Sequence, residues 1–333
     1  MEFKKILLVF IAVFILLSLV GLSYQFISTK IDNYRYPAPG KMVDVGGFKL
    51  HINCSGIGKP TVILDAGMGC HSTNWTFVQK GIEQFTHVCS YDRAGLGWSE
   101  ESTNPRTSAF IAEELHTLLH NTNAQPPYIL VGHSSGGINM RLYANTYPEE
   151  VFGVILVDSS NEKQMERFEE IEKCFPRELS YFERFKGYIL TSKISFYLGI
   201  TRLYFSKFEN IPYPEEIKDV LLAKNLATKS LRTDESTPIK ESLQQVEQSK
   251  NSLENKPLIV ITAGKKNESE EELEKEIGKA WIICQKELAE QSKRCKQIIA
   301  EKSGHMINHE QPEIIVDAIR EMVHEYNLQN TNY

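Results

Sequence analysis

The chain lacks the features that usually mark a zinc protein, a nucleic-acid-binding protein or a repeat protein. Its six cysteines stand at irregular spacings, without the paired arrangement that binds zinc. The formal net charge is -6, so no basic excess is available to bind a nucleic acid. The sequence contains no internal repeat and no low-complexity segment. These absences argue against a metal cofactor, a nucleic-acid partner and a solenoid architecture.

The composition is that of a globular protein. Hydrophobic residues make up 41% of the sequence and charged residues 24%. The length of 333 residues is enough for one large domain or two ordinary ones. Cys54, Cys89 and Cys284 stand at apolar or periodic positions, where a cysteine packs as a small hydrophobe. Cys284 and Cys295 are a candidate disulfide pair if they lie outside the cell, and the sequence leaves this open.

The amino terminus differs sharply from the rest. Residues 6–22 carry no charge, and with Ser23 and Tyr24 the run approaches the roughly 20 residues that cross a bilayer as a helix. We therefore predict a membrane anchor over residues 1–24. The alternative is a cleaved signal peptide, since Gly21 and Ser23 form a small-x-small site.

The side of the membrane is suggested by the flanking charges. Lys4 and Lys5 favour a cytoplasmic amino end, whereas Lys30, Arg35 and Lys41 weaken that preference. We expect the rest of the chain to lie outside the cytoplasm, either as a single-pass membrane protein or, after cleavage, as a secreted one.

The remaining sequence alternates between strand and helix patterns. The predicted sequence of segments is a linker over 25–41, a core over 42–160, a helical insertion over 161–256, a second core part over 257–327 and a tail over 328–333. Eight short runs predict strands: 42–45, 48–53, 61–64, 85–91, 128–132, 154–157, 258–261 and 297–300. Apolar runs that alternate with helices predict an α/β fold with a mostly parallel sheet covered on both faces.

The stretch from Gly132 to Gly136 carries the clearest chemical signal. It reads Gly-His-Ser-Ser-Gly, with Ser134 at its centre, a strand before it and a helix after it. On such a sharp turn the serine hydroxyl projects from the backbone, and the neighbours two positions away must be small. Ser134 is therefore the candidate nucleophile.

A serine nucleophile needs a base to take its proton and an acid to orient that base. His305 follows the last predicted strand, which places it at the carboxyl edge of the sheet, where Ser134 also lies. Two acids are candidates. Asp158 ends the strand after the Ser134 helix, and Glu268 lies in the loop after Ile261, which contains no aspartate.

The reaction also needs two backbone N–H groups that bind the developing oxyanion. Ser135 follows the nucleophile and offers one of them. The loop Gly67-Met68-Gly69 after the third strand offers the other, which we assign to Met68.

Three motifs in this order resemble the lipase/esterase-like serine hydrolase branch of the α/β-hydrolase-fold superfamily. They are Tyr91–Ser99 (YDRAGLGWS), Gly132–Gly137 and Ser303–Pro312 (SGHMINHEQP). The resemblance covers about residues 43–325 and implies a triad of Ser134, Asp158 and His305 that needs no cofactor or metal. It also implies that the insertion is a cap that sets specificity, and that Asp92–Ser99 is a structural loop.

Two departures from the family pattern matter. The family usually takes its acid from the loop after the penultimate strand, although some members use the strand that Asp158 ends. The oxyanion loop begins Ala66-Gly67 instead of His-Gly. A serine nucleophile disfavours the epoxide hydrolase and dehalogenase members, which attack through aspartate.

The resemblance predicts a hydrolase of carboxylic esters, and the aromatic and basic side chains of the insertion favour an apolar acyl group. An amidase, a thioesterase, an aminopeptidase or a ligand-binding protein on the same fold are the alternatives. Within the insertion, residues 184–208 mix aromatic side chains with basic ones, as suits an anionic membrane surface. The predicted partners are therefore a small ester and a membrane.

Overall fold

The computed structural model describes residues 2–122, 124–175, 187, 192–208, 213–227, 233–249, 253–265 and 271–330. The chain divides into two compact units. We call Met1–Pro37 with Glu178–Thr233 the helical unit, and Ala38–Arg177 with Asp234–Tyr333 the sheet unit.

The sheet unit is built on one sheet of eight strands in the order β1-β2-β4-β3-β5-β6-β7-β8. The β1–β2 and β2–β4 pairs are antiparallel and the other pairs are parallel. The mostly parallel α/β sheet predicted from the sequence is therefore confirmed. The strands are β1 Lys41–Asp44, β2 Lys49–Ser55, β3 Thr61–Asp65, β4 Val88–Tyr91, β5 Tyr128–His133, β6 Val151–Val157, β7 Leu258–Ala263 and β8 Cys295–Ala300.

The helices of the sheet unit pack on both faces of the sheet. One buried cluster joins a sheet face to Leu115, Met140 and Leu288, and the other joins the opposite face to Val78 and Ile319. The full set of helices in the sheet unit, some of which pack on other helices, is α2 Thr76–Ile82, α3 Ser108–His120, α4 Gly136–Thr146, α5 Gln164–Cys174, α9 Thr233–Ser236 (whose first residue belongs to the helical unit), α10 Ile239–Gln248, α11 Glu272–Ala289, α12 Ile307–Glu310 and α13 Pro312–Asn330.

Two local differences from the sequence prediction have simple causes. The strand expected from residue 85 begins at Val88, because backbone N–H groups of Phe85 and Thr86 bond to the carbonyl of Ile82 at the end of α2. Helix α2 was not predicted, since only seven residues form it and Gly81 interrupts its apolar pattern. Gly81 faces Val316 of α13, where a side chain would meet the valine methyl groups.

The helical unit contains α1 Glu2–Arg35, α6 Lys193–Tyr197, α7 Ile200–Phe208 and α8 Glu215–Ala227. Helix α1 continues through residues 25–35, which the sequence analysis predicted as a linker. The reason is a set of polar contacts at helical spacing. Arg202 donates to Gln25 Oε1 at 3.0 Å and to Asp32 Oδ2 at 2.6 Å, and Lys224 donates to Asn33 Oδ1 at 3.0 Å.

The amino-terminal part of α1 remains apolar and exposed. By length and composition α1 could cross a membrane, and its most apolar 18-residue window is 0% buried. Side chains such as Phe10, Phe14 and Leu17 are between 65% and 69% exposed. A continuous apolar surface of this kind marks a membrane or interaction surface in place of a packed core.

Two of the cysteines expected to pack as small hydrophobes, Cys54 and Cys89, are instead bonded to each other. Cys54 and Cys89 form a disulfide, because the two residues stand directly opposite each other on the antiparallel strands β2 and β4. Cys284 and Cys295, the pair considered from the sequence, are both free. Strand register, which the spacing of cysteines along the chain does not reveal, decides this pairing.

Candidate active site

Ser134 occupies a strained turn between β5 and α4. Its φ is 53°, a left-handed conformation that costs energy for a residue with a side chain. A Cβ on Gly132 would lie 2.5 Å from the Cα of Gly137, and one on Gly136 would lie 2.5 Å from the Asp65 carbonyl oxygen. A Cβ on Gly137 would overlap the Ser159 hydroxyl. Only glycines at these three positions let the strand and helix approach closely enough to form this turn.

His305 and Asp158 lie together at the carboxyl edge of the sheet. His305 Nδ1 is 2.6 Å from Asp158 Oδ2, and the histidine side chain is 46% exposed whereas the aspartate is 2% exposed. Asp158 follows β6 directly and also has a positive φ, of 40°. A buried carboxylate beneath a half-exposed imidazole can hold its Nδ1–H and leave Nε2 free to take a proton.

The other Asp158 oxygen is held by two donors. Ala263 N donates to Asp158 Oδ1 at 3.0 Å, and Trp281 Nε1 donates to the same oxygen at 2.9 Å. The Trp281 ring also stands edge-on to the His305 ring, with 5.7 Å between centroids. In the sequence Trp281 is one apolar residue of a helical pattern, and no local signal distinguishes it from a core residue.

The alternative acid cannot be placed in the same way. Glu268 lies outside the described residues, as do residues 266–270 around it. Of the two predicted acids, Asp158 is the one for which the structure gives a contact with His305.

His133 supports the loop that carries His305, and it does so as a neutral side chain. Its Nε2–H donates to the carbonyl oxygen of His305 at 2.8 Å, and the residue is 2% exposed. Burial, together with the neighbouring His305, lowers the pKa of His133 to about 3. His133 is therefore neutral at physiological pH, and its hydrogen bond links β5 to the loop that carries His305.

The predicted oxyanion loop lies against Ser134. A Cβ built on Gly67 would be 3.2 Å from the Ser134 Cβ, so the loop backbone passes beside the serine side chain. Met68 and Ser135, the two residues predicted to bind an oxyanion, line one small cavity. The structure thus brings the predicted serine and both parts of the predicted oxyanion hole together.

A buried guanidinium holds this loop in place. Arg93, which is 2% exposed, donates from Nη1 to the carbonyl oxygen of Ala66 at 2.7 Å and from Nη2 to that of Gly67 at 2.7 Å. With both carbonyls engaged by Arg93, the orientation of the peptide units on the amino side of Met68 is restricted. A structural role for the Asp92–Ser99 loop was predicted from the sequence, whereas the contact of Arg93 with the predicted oxyanion loop was not.

Two buried carboxylates balance Arg93. Its Nη1 donates to Asp65 Oδ1 at 2.5 Å, and its Nε donates to Glu235 Oε1 at 2.6 Å. Burial raises the pKa of Asp65. Burial also acts to raise the pKa of Glu235, but the charge and hydrogen bonds of Arg93 have the larger effect, so the pKa of Glu235 is lowered. Glu235 Oε2 accepts a hydrogen bond from Gly69 N at 2.9 Å, so a residue of the insertion holds the oxyanion loop directly. Glu235 carries no local signal in the sequence that distinguishes it from the other acids of the insertion.

Asp92 organises the loop next to Arg93. It is fully buried and accepts hydrogen bonds from the backbone N–H groups of Ser72, at 2.6 Å, and Trp98, at 3.0 Å. Its Oδ2 also lies 2.8 Å from His51 Nδ1. These contacts explain the motif as a structural one, in agreement with its predicted role.

Two groups of side chains in the described part of the chain have the spacing of metal ligands. In the first, Cys54 and Cys89 are occupied by their disulfide. In the second, His116 and His120 share Glu150 Oε1, at 3.2 and 3.0 Å, on the protein surface. Neither group includes Ser134 or His305, so neither is placed to act on a substrate there.

The comparisons with known proteins agree with this architecture. A family model described as the alpha/beta hydrolase fold matches residues 59–312. An AB hydrolase superfamily protein of Gibberella zeae is 25% identical over 298 residues, which cover 80% of this chain and 86% of that protein. A probable transporter of Hormonema carpetanum, efuK, is 31% identical over 129 residues.

The match to efuK covers 36% of this chain and only 18% of the transporter, so the two proteins share a segment and not their whole length. Among solved structures, a putative lipase of Acinetobacter baumannii superposes with a TM-score of 0.58 at 20% identity, covering 91% of this chain and 97% of that one. At this identity the likeness concerns the fold.

Proposed function

Because the chain belongs to the α/β-hydrolase fold family, we propose that this hydrolase cleaves carboxylic esters through an acyl-enzyme on Ser134. The observation that carries the proposal is the His305 Nδ1–Asp158 Oδ2 contact of 2.6 Å at the sheet edge where Ser134 also stands. A hydrolase with an aspartate nucleophile would carry aspartate at the turn between β5 and α4, whereas this chain has Ser134 there.

In the proposed first step, His305 Nε2 takes the Ser134 hydroxyl proton while Oγ attacks the ester carbonyl carbon. The negative charge on the carbonyl oxygen is bound by the backbone N–H groups of Met68 and Ser135. The intermediate then collapses, the C–O bond to the alcohol breaks, and His305 returns the proton to the leaving alcohol. Asp158 keeps the imidazole oriented and stabilises its charged form.

In the second step, His305 takes a proton from water, whose oxygen attacks the acyl carbon. The acyl–Ser134 bond breaks, the carboxylic acid leaves, and the serine recovers its proton from His305. The same residues would act on amides, thioesters or an amino-terminal peptide bond, and the shape of the substrate pocket selects among them.

A fluorophosphonate probe, which phosphonylates an activated serine, tests the assignment. We expect wild-type protein to be labelled, Ser134→Ala to remain unlabelled, and Ser135→Ala to be labelled because it retains the backbone N–H. Folded wild-type protein that resists the probe and hydrolyses no nitrophenyl ester would indicate a ligand-binding protein on the same fold.

We also propose that α1 anchors the protein in a membrane with the sheet unit outside the cytoplasm. The exposed apolar surface of α1 and the Lys4–Lys5 pair at its start support this arrangement. The Cys54–Cys89 disulfide supports it independently, because disulfides persist in oxidising compartments. Mass spectrometry of the mature amino terminus tests it, since cleavage near Ser23 would show a signal peptide instead of an anchor.

The basic and aromatic segment 184–208 is the proposed second membrane contact. Of this segment the structure describes residues 187 and 192–208, where Lys193, Ile194 and Leu203 are exposed. A variant that lacks residues 1–24 should sediment with anionic vesicles and less with neutral ones. If it binds neither, this segment is not a membrane contact.

A further inference from the structure

A small cavity opens next to the predicted oxyanion hole. Met68 and Ser135 lie on one side of it, and the other lining residues come from the loop before α3, from α3 and α4, and from the insertion after Asp234. They are Arg93, Arg106, Ser108, Ile111, Asn139, Glu235, Ile239 and Ser242. The acyl group of an ester bound at Ser134 would start at Met68 and Ser135, so the part nearest its carbonyl would border this cavity.

Arg106 contributes donors that no other described residue uses. The side chain is only 7% exposed, and its Nη1 donates to Glu114 Oε1 at 2.7 Å. Its Nε and Nη2 are buried and have no hydrogen-bond partner among the described residues. A buried donor without a hydrogen-bond partner lowers the stability of the folded protein by about 1–3 kcal/mol. Such a group in a native structure therefore calls for an explanation, and a role in binding a ligand is one.

Most of the other polar groups around the cavity are already paired. Ser108 Oγ donates to Asn139 Oδ1 at 2.6 Å, and Asn139 Nδ2 donates to Asp65 Oδ2 at 2.8 Å. Ser242 Oγ accepts a hydrogen bond from Ser108 N at 2.9 Å. Among the side chains that line the cavity, Nε and Nη2 of Arg106 are the buried polar atoms without a hydrogen-bond partner in the described part of the chain, and what they lack is an acceptor.

The charge balance indicates which acceptor. Arg93 is paired with Asp65 and Glu235, and Arg106 with Glu114, so acids outnumber the guanidinium groups around the cavity. No net positive charge remains to compensate a second anion, whose burial without compensation is costly. A neutral oxygen atom satisfies an N–H donor without adding charge.

The size of the cavity limits what enters it. The cavity has a volume of about 20 Å³, which is room for about one water molecule. Ile111 and Ile239 supply apolar surface beside Arg106. The space fits a single oxygen atom on a short acyl chain better than a long alkyl tail.

We propose that Arg106 is a specificity residue that binds an uncharged ether, hydroxyl or keto oxygen on the acyl group close to the scissile carbonyl. This inference rests on the proposed ester hydrolase activity and names its substrate class: esters of short oxygen-substituted acids. It refines the expectation of an apolar acyl group, because the chain stays apolar apart from one acceptor atom.

The test compares nitrophenyl esters that differ by one atom. Methoxyacetate has an ether oxygen where butanoate has a methylene group, and 3-methoxypropanoate differs from pentanoate in the same way one position further on. The preference is the ratio of kcat/KM for the ether to kcat/KM for its alkyl partner. Comparing this ratio between wild type and variants cancels the different chemical reactivity of the two esters.

Two variants remove the donors. Arg106→Lys keeps a positive charge near Glu114 but lacks the planar N–H fork, and Arg106→Met with Glu114→Gln removes both charges together. Glu114→Gln alone is the matched control, since it retains Nε and Nη2 of Arg106. For at least one of the two ester pairs, we expect the ether preference to fall about tenfold in both Arg106 variants and less than about twofold in the control.

The outcomes separate this inference from the proposed function. If wild type hydrolyses the esters but its ether preference is the same in the folded Arg106 variants, Arg106 is not a specificity residue. The nitrophenyl monoester of succinate carries a carboxylate on its acyl group. If wild type prefers it over the pentanoate ester more strongly than it prefers either ether over its alkyl partner, the ligand is an anion and the neutral-oxygen inference is wrong. If wild type hydrolyses no ester and resists the fluorophosphonate, the proposed function itself fails.

Discussion

His305 Nδ1 lies 2.6 Å from Asp158 Oδ2, although the two residues are 147 positions apart in the sequence. The contact joins the loop after β8 to the end of β6, two strands away in the sheet. Asp158 Oδ1 is already held by Ala263 N and Trp281 Nε1, so the carboxylate has one orientation in which Oδ2 faces the imidazole.

This geometry predicts that Asp158→Asn abolishes most of the activity. The amide cannot hold the imidazole in the tautomer that accepts the Ser134 proton, and kcat/KM should fall about a thousandfold or more. Glu268→Gln serves as the comparison and should retain wild-type activity. An inactive Glu268→Gln with an active Asp158→Asn would show that the triad uses the other acid.

Glu235→Gln is predicted to slow the chemical step through the oxyanion loop. Glu235 accepts hydrogen bonds from Gly69 N and from Arg93, and Arg93 in turn binds two loop carbonyls. Loosening the loop should lower kcat about tenfold while KM changes little, because the oxyanion forms only in the transition state. Glu241→Gln, on an exposed position of α10, is the control. A change in KM alone would instead place Glu235 in substrate binding.

His133 is predicted to make stability depend on pH. Its pKa in the folded protein is about 3, below the ordinary value of 6.5, so the unfolded chain binds a proton that the folded one rejects. The contribution of His133 is fully present above pH 6.5 and is lost as the pH falls towards 3, by up to about 1.4 kcal/mol per pH unit.

Urea unfolding between pH 4.5 and 7.5 measures this slope. His133→Gln keeps a donor for the His305 carbonyl but does not titrate. The slope of the free energy of unfolding against pH should therefore be smaller in the variant, by the equivalent of about one bound proton. Equal slopes for wild type and variant would mean that folding does not lower the pKa of His133.

The Cys54–Cys89 disulfide is predicted to stabilise the sheet unit. The bond closes a loop with a sequence separation of 35, for which chain-entropy arguments give about 3–4 kcal/mol. The double variant Cys54→Ala with Cys89→Ala should unfold at correspondingly lower urea, whereas Cys174→Ala, at an exposed free cysteine, should not differ from wild type.

Alkylation of the unfolded, unreduced protein gives an independent check on the pairing. Cys70, Cys174, Cys284 and Cys295 should react, and Cys54 and Cys89 should react only after reduction. Protection of Cys284 and Cys295 instead would restore the pairing first considered from the sequence.

Local pattern was enough to predict the parallel sheet, the strand–serine–helix turn and the position of His305. Each of these depends on side-chain periodicity, on glycines at a tight turn, or on the place of a residue just after a strand. Such signals lie within about ten residues, and parallel strands bring their carboxyl ends to one edge whatever the intervening sequence.

The tertiary structure decided the contacts between distant residues. It paired Asp158 with Trp281, Arg93 with Glu235, and Cys54 with Cys89. Within the described part of the chain, it also left two nitrogens of Arg106 without a hydrogen-bond partner beside the predicted oxyanion loop. These relationships depend on strand register and on how the insertion returns to the sheet, and no spacing along the chain encodes them. The candidate nucleophile Ser134 was therefore readable from the sequence alone, whereas the groups that hold the Asp158 carboxylate and line the cavity became visible only in the fold.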